Sequence, residues 1–352
     1  MARQKFLDYF NTTFNLLESW PFYNFTRYVK KGIGYCSKTK YVFFISLLIV
    51  LVSACQKEII VEPIPETYES YTFFVAGHVY GSPGVDNFGF HPPFRAKFDL
   101  INERNTSLGF FLGDIVNVST SKNWNEVDSV LQYLNTETYF AVGNHDMTDR
   151  PLFESRYGKT YFSFKYENDL FVVLDPNIDE WNISEDQLSF LKNVLDTESL
   201  QARNVFVFFH QLLWIDKANK YKNVRPNSFE GRADIINFWT EVEPLFNDLA
   251  NEVYMFAGDI GAAHWSDDAM YDKYDNITLI ATGMGEEVGD NFIFIDVDES
   301  GGVSFEMIAL NGEDIHAMGN IEDYQVRFSL TFPKFETLEK FKHKVPHFEM
   351  AD

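Results

Sequence analysis

Basic residues are scarce in this sequence. Lys and Arg number 29 against 52 Asp and Glu in 352 residues, a formal charge of −23. That balance argues against binding nucleic acid through its phosphates. A well-solvated surface is enough to account for it. No internal repeat is present. Long apolar runs are lacking too. The apolar stretch Tyr41 to Ala54 falls short of the roughly 20 residues that a membrane span needs. Cysteine is nearly absent, with only Cys36 and Cys55. What is abundant is apolar bulk: 45% of residues are apolar, 17% are aromatic, and Phe alone numbers 36. Such a chain buries a core and is not disordered. Its length suits one large domain or two small ones. The Phe content reads as core and strand filling, because Phe favours pleated surfaces.

Charge is unevenly placed. Residues 1–54 hold seven Lys/Arg and two Asp/Glu, a local +5, which leaves 22 basic and 50 acidic residues, or −28, for the remainder. Lys38 and Lys40 precede the apolar stretch, and Val52, Ser53, Ala54 and Cys55 follow its core. A basic start, a short apolar core and small residues form the pattern of a signal peptide. The ending resembles a bacterial lipobox, in which the cysteine is lipidated and becomes the mature N-terminus. An uncleaved signal anchor or a short core helix are the other readings of this stretch. The leader, Met1 to Lys40, is long for a signal peptide. With Cys55 lipidated and Cys36 removed, the mature body has neither disulfide nor thiolate metal site. Any metal must then be held by His, Asp, Glu and Asn.

The expected organisation is a leader and signal segment over 1–54, a tether over 55–70, one domain over 71–320 and a tail over 321–352. Residues 56–70 are polar with two prolines, as befits a tether. From Tyr71, apolar runs alternate with amphipathic stretches. Strands are expected at 71–77, 108–114 and 138–146, with helices at 93–105 and 123–135. This alternation implies an α/β layout. Residues 159–175 then read as an antiparallel hairpin turning at Glu167-Asn168. Residues 183–195 read as a helix started by a capping box, Ser184 with Gln187, and a staple, Ile183 with Leu188. Further strands are expected at 203–211, 251–259 and 276–283. A last hairpin over 290–310 turns at Gly301-Gly302.

Four strand ends carry groups able to bind a metal: His78 in "AGHVYG", Asp114 in "GDIVN", Asn144 and His145 in "GNHD", and His210 in "FFHQ". Glycines at 77, 113, 143 and 258 permit sharp turns there. A rigid sheet can bring such ends together into a site. Any one of them alone has an ordinary structural explanation. Their order, however, resembles the calcineurin-like metallophosphoesterase superfamily over about residues 71–310. "GDIVN" and "GNHD" match its second and third motifs closely.

That resemblance implies a two-sheet α/β sandwich of facing mixed sheets flanked by helices. It implies a metal-dependent phosphoric ester hydrolase using one or two divalent ions, with manganese, iron or zinc suiting an O/N ligand set. Paired cations neutralise an anionic ester and lower the pKa of a water. Asp114 would bridge the ions. Asn144 and His210 would serve one ion and His78 the other. His145 would not bind metal but would protonate the leaving-group oxygen.

Two motifs depart from the family pattern. Asp-x-His has Ala76 in its first position, and Gly-His-x-His is replaced by "GDIG", with Asp259 and Gly261. One ion keeps Asp114, Asn144, His210 and Asp259. The other keeps only His78 and the bridge, usually too few for a firmly held catalytic metal. Asp86, His91, His264, Asp267 and Asp268 are candidate substitute ligands or substrate contacts. The loop 76–94 is a candidate substrate wall, and 265–276 reads as a second loop beside the site. Two functions are open: a phosphoester hydrolase with an altered dinuclear site, or a degenerate relative that binds a ligand without turnover. With Cys55 as lipid anchor, the expected location is the bacterial cell envelope, facing periplasm or exterior. The substrate is a phosphate ester that the sequence does not specify.

Overall fold

The computed structural model describes residues 68–82, 89–285 and 288–327. The leader, most of the tether, the loop 83–88 and the tail beyond 327 lie outside the described residues. The expectations at Cys55 and Asp86 lie there too.

Eleven strands form two sheets among the described residues. The first sheet has the order β11-β10-β1-β2-β3. Its strands are β1 (Tyr71–Gly77), β2 (Leu108–Leu112), β3 (Glu137–Phe140), β10 (Asn291–Val297) and β11 (Val303–Ala309). Strands β1, β2 and β3 run parallel, while β10 and β11 are antiparallel additions. The second sheet has the order β4-β5-β6-β7-β9-β8. It comprises β4 (Phe162–Tyr166), β5 (Asp169–Val173), β6 (Asn204–Phe208), β7 (Glu252–Ala257), β8 (Ala269–Tyr274) and β9 (Ile277–Thr282). Strands β5, β6, β7 and β9 are parallel, with an antiparallel strand at each edge. Both sheets are therefore mixed.

The central strands are apolar on both faces because both faces are covered. Alternate residues of one strand go to different layers. Phe73 and Val75 of β1 join Phe110, Phe171, Phe206, Phe208 and Phe256 in a layer contributed by both sheets. Phe74 and Ala76 join an outer cluster with Phe111, Trp124 and Phe153. On the second sheet, Val205 and Val207 face another outer cluster with Leu191, Val194 and Trp214. Stacked rings dominate the layer between the sheets. Phe110 and Phe208 are parallel with centroids 3.8 Å apart, and Phe73 meets Phe206 edge-on at 5.0 Å. Phenylalanines thus fill both the layer between the sheets and the cluster outside the first sheet.

Helices cover the outer faces: α1 (Pro92–Arg95), α2 (Phe98–Glu103), α3 (Ser121–Leu131), α4 (Arg150–Tyr157), α5 (Glu185–Glu198) and α6 (Glu243–Asn247). The helix expected over 93–105 divides into α1 and α2. Helix α3 starts where Thr120 accepts a hydrogen bond from the Asn123 N–H.

The hairpin over 159–175 forms as expected, with Glu167 and Asn168 both at positive φ. The hairpin at Gly301-Gly302 forms as well. Strand β3 is shorter than expected. It ends at Phe140, and the chain turns into the site soon afterwards.

Two expectations are corrected. Ser184 does not cap α5 with its side chain. Its hydroxyl donates to Asp179 instead. Gln187 is buried and spends its amide on the backbone of Asp175, so the capping box is not made. Ile183 and Leu188 do enter one apolar cluster. The stretch 265–276, expected as a loop, contains β8. Its acidic residues hide the strand pattern. Asp272 points inward, only 1% exposed, where it accepts from the Tyr221 hydroxyl and pairs with Lys220. The start of the tail packs against this strand, as the Val326 N–H donates to the Tyr271 carbonyl.

Candidate metal centre

The parallel strands of both sheets end on one side of the molecule, and each end delivers one group. His78 follows β1 and Asp114 follows β2. Asn144 and His145 come shortly after β3. From the other sheet, His210 follows β6 and Asp259 follows β7. Glycine lets the two sheets meet there. A Cβ on Gly258 would strike the Leu112 carbonyl, and one on Gly143 would strike the Asp114 carboxylate. His78 and Asp114, each just past a glycine, sit at positive φ of 51° and 49°. Non-glycine residues seldom adopt that conformation, and it clusters at functional sites.

Asp114 is the hub. Its Oδ2 lies 3.4 Å from His78 Nε2 and 3.3 Å from His210 Nε2. Its Oδ1 accepts the backbone N–H of His145 at 3.1 Å. Asp259 Oδ1 is 3.9 Å from His210 Nε2. Asp114, His210 and Asp259 are all buried, and one ligand atom from each lies within 4.8 Å of the others.

The tautomer of His210 follows from its partner. Nδ1–H donates to the Leu112 carbonyl at 2.7 Å, so Nε2 is the nitrogen that faces Asp114 and that would give its lone pair to a metal once deprotonated. A hydrogen bond on one ring nitrogen that aims the other at a site is the usual arrangement for a metal-ligating histidine. His210 Nε2, Asp259 Oδ2 and His78 Nδ1 are buried without any hydrogen-bond partner. Buried polar atoms are normally paired; the His78 nitrogen that faces Asp114 is Nε2 rather than Nδ1, so two unpaired ligand atoms in one place, on His210 and Asp259, call for a cation. A separation of 3.3 Å also suits two ligands of one ion, being the chord of an angle of about 105° for bonds of about 2.1 Å. The residues present therefore fit a divalent metal.

The electrostatics agree. Burial alone would raise the Asp114 carboxyl, but His210 and His78 outweigh it and hold it below the usual carboxylate range. Burial lowers the His78 imidazole to about 4, so it is neutral at physiological pH. Burial also pushes Asp259 up to about 7. His210 is raised to about 10 despite burial, mainly by the Asp114 charge. Four close titratable groups pushed apart in this way mark a functional site.

His145 is half-buried beside the hub. Its Nδ1–H donates to the Asn117 carbonyl at 2.7 Å, which fixes the ring. Asn144 is half-buried next to it. Asp146, the last residue of "GNHD", is fully buried and accepts from the backbone N–H groups of Gly143, Ile115 and Val116. It ties the second and third motifs together.

Ala76 belongs to the apolar cluster outside the first sheet, together with Phe74, Phe111 and Met284. Two of the candidate substitute ligands, His91 and Asp267, have side-chain partners of their own. His91 Nε2 lies 3.0 Å from Asp290 Oδ2. Asp267 accepts from Arg225. His264 is exposed against the ring of Trp265. Asp268 is half-buried. Among the described residues, none of these joins a cluster of three ligands.

Other residues belong to the site without having stood out in the sequence. Tyr80 is buried, its ring 4.4 Å from that of His78 and 5.2 Å from that of His145. The N–H of Asn227 donates to the Asp259 carbonyl, and its Oδ1 accepts the Ala262 N–H. Asn177 donates to the Val142 carbonyl and accepts from Gln211. Only position could have found them. Tyr80 is two residues from His78, but Asn227 lies in a long connection with no motif.

No family model matches the sequence, nor does any curated protein. Solved structures do match. A dimetal phosphatase from Danio rerio is 14% identical with a TM-score of 0.48, over 68% of this chain and 99% of that one. Vps29 of Chaetomium thermophilum is 11% identical with a TM-score of 0.33, over 68% and 95%. The purple acid phosphatase PPD1 from yellow lupin (Lupinus luteus) seeds is 13% identical with a TM-score of 0.50, over 72% of this chain. The matched region spans about half of the lupin chain, 54%. Identities this low speak to fold alone. The chain shares with the lupin phosphatase the two-sheet α/β sandwich of metallophosphoesterases.

Proposed function

We propose that this protein is a metal-dependent hydrolase of phosphate esters that works at the bacterial cell envelope. One observation carries the hydrolase reading: the buried group of Asp114, His210 and Asp259, with ligand atoms left bare and His145 alongside. Asp114, Asn144, His210 and Asp259 would hold the principal ion, and His78 with Asp114 a weaker second one. A divalent cation there supplies charge neutralisation to an anionic ester and activation to a water. The rest is done by the chain. Asp114 stays ionised because two imidazoles face it. Asn117 holds the His145 ring, so that His145 can protonate the departing alcohol oxygen. The Tyr80 ring packs against those of both His78 and His145.

The envelope location rests on Lys38, Lys40, the apolar stretch and Cys55 alone. A second reading, binding without turnover, has one observation in its favour. Among the described residues, His78 belongs to no group of three candidate ligands. Assays on generic phosphate mono- and diesters, run beside metal analysis, separate the two. Turnover that needs the metal and is lost in His145→Ala supports the hydrolase. Bound metal with no turnover on a broad panel supports the binder.

A further inference from the structure

We propose that Asn227 positions Asp259 as a one-oxygen metal ligand: its side-chain amide donates to one carboxylate oxygen and leaves the other for the cation. The proposal rests on the metal centre of the reading above and deepens it.

Asn227 lies in the long connection between β6 and α6. Residues 225–227 are stitched to the segment that follows β7. The Arg225 N–H donates to the Asp267 carboxylate, and the Asp267 N–H donates back to the Arg225 carbonyl. The Ser266 hydroxyl donates to that same carbonyl and accepts the Gly261 N–H. Asn227 adds three bonds of its own. Its N–H donates to the Asp259 carbonyl at 3.0 Å, its carbonyl accepts the Trp265 indole N–H at 3.1 Å, and its Oδ1 accepts the Ala262 N–H at 2.8 Å. The last bond fixes which end of the side chain is oxygen, because a backbone N–H needs an acceptor. Nδ2 is then the one polar atom of Asn227 left over, and it is buried without a hydrogen-bond partner.

Asp259 presents the complement. Its Oδ1 lies 3.9 Å from His210 Nε2, and its Oδ2 is buried without a partner. The Asn227 amide stands near enough to act on this carboxyl. Burial raises the Asp259 pKa, and the His210 charge and the amide both oppose the rise. Buried donors and acceptors are normally paired, and here an unpaired donor and an unpaired acceptor sit on segments already joined through their backbones. With the cation on one carboxylate oxygen and the amide on the other, neither residue keeps a bare buried atom. Ligating carboxylates are ordinarily held by such outer hydrogen bonds, which orient them. The bond also adjusts charge. Asp259 stands where the family pattern has a histidine, so it brings a negative charge to the ion that a neutral imidazole would not. A donor on the far oxygen draws part of that charge away, which leaves the ion a stronger acid toward a water or an ester.

Crystals of the zinc-loaded native protein test the bond itself. One Asp259 oxygen should lie on the ion and Asn227 Nδ2 about 3 Å from the other. Both oxygens on the ion, or an amide bonded elsewhere, would overturn the proposal. Substitution tests its effect. Asn227→Leu keeps the size of the side chain and removes the amide. Its manganese affinity, read by titration calorimetry, should fall about 10–100-fold, and the visible bands of the cobalt(II)-loaded protein should shift. Trp265→Phe removes the indole bond to the same segment but leaves the amide, and it should change neither. Native affinity and native bands in Asn227→Leu would overturn the proposal. Equal losses in the two variants would do so as well, since they would indicate a loosened loop rather than a lost bond. None of these measurements reads turnover. Bound metal without turnover removes the hydrolase reading alone. Turnover with an unaffected Asn227→Leu removes this inference alone, and a native protein that binds no metal removes both.

Discussion

His145 is the residue whose removal separates chemistry from metal holding. It touches the Asp114 carboxylate only through its backbone N–H, so His145→Ala keeps that bond and loses the ring. The rate should fall about 10²–10⁴-fold, with metal content unchanged when both are measured on one preparation. The protonation states make a second prediction. In the metal-free protein His210 is raised to about 10, mainly by Asp114 against its burial, and Asp259 is raised to about 7 by burial. A raised pKa favours the protonated form in the folded state. The His210 contribution to stability is therefore complete below the ordinary imidazole value and is lost as pH climbs through about 10. For Asp259, stability falls as pH rises through about 7. A cation takes the place of those protons, so binding at neutral pH should release about one to two protons per ion and tighten as pH rises. Titration calorimetry in buffers of different ionisation heat measures the release, and a buffer-independent heat would contradict it. At this scale the cluster of Asp114, His210 and Asp259, with His78 and His145 beside Asp114, was legible, because motifs mark these residues at strand ends. Tyr80, Asn177 and Asn227 were not, because their role comes from packing and backbone hydrogen bonds rather than from residue type.

Among the elements, the strand ends depend on glycine. A Cβ at Gly143 would collide with the Asp114 carboxylate. Gly143→Ala should therefore displace the hub and weaken metal binding at least about tenfold, more than its effect on global stability implies, since active-site strain is felt locally. Metal titration beside chemical denaturation would show it. The helix starts differ in kind. Thr120 makes a real cap on α3, so Thr120→Ala should cost about 1 kcal/mol in denaturant unfolding. Ser184 does not bond the α5 backbone, and Ser184→Ala should cost clearly less. Sequence spacing suggested a cap at Ser184 because the Ser-x-x-Gln pattern is local, whereas the claim of Asp175 on Gln187 is tertiary. The hairpins at Glu167-Asn168 and Gly301-Gly302 were legible for the opposite reason: turn chemistry is local and nothing distant competes with it. Strand β8 was hidden because Asp272 faces inward and finds Tyr221 and Lys220, partners far away in sequence.

At the level of the whole molecule, the layered order of the fold was legible from the alternation of apolar runs, and the family resemblance supplied the two-sheet closure. The aromatic layer between the sheets and the cluster outside the first sheet both draw on the Phe content. Phe110 stacks on Phe208 across that layer, and Phe110→Ala should destabilise the protein by about 3–5 kcal/mol, readable as a shift in the denaturation midpoint. The acidic body, −28 outside the first 54 residues, would repel an anionic ester except where a bound cation offsets that charge. If Cys55 carries lipid, Cys55→Ser should move the protein from the membrane to the soluble fraction. Retention in the membrane would identify residues 41–54 as a true anchor instead. The central claim is that Asp114, His210 and Asp259 form a metal centre, and metal stoichiometry tests it most directly. Chelator-treated protein re-equilibrated with manganese or zinc, then desalted and assayed by elemental mass spectrometry, should retain at least about one ion per chain, while His210→Ala and Asp259→Ala should lose it. A native protein that retains none, or variants that retain as much as the native, would contradict the account.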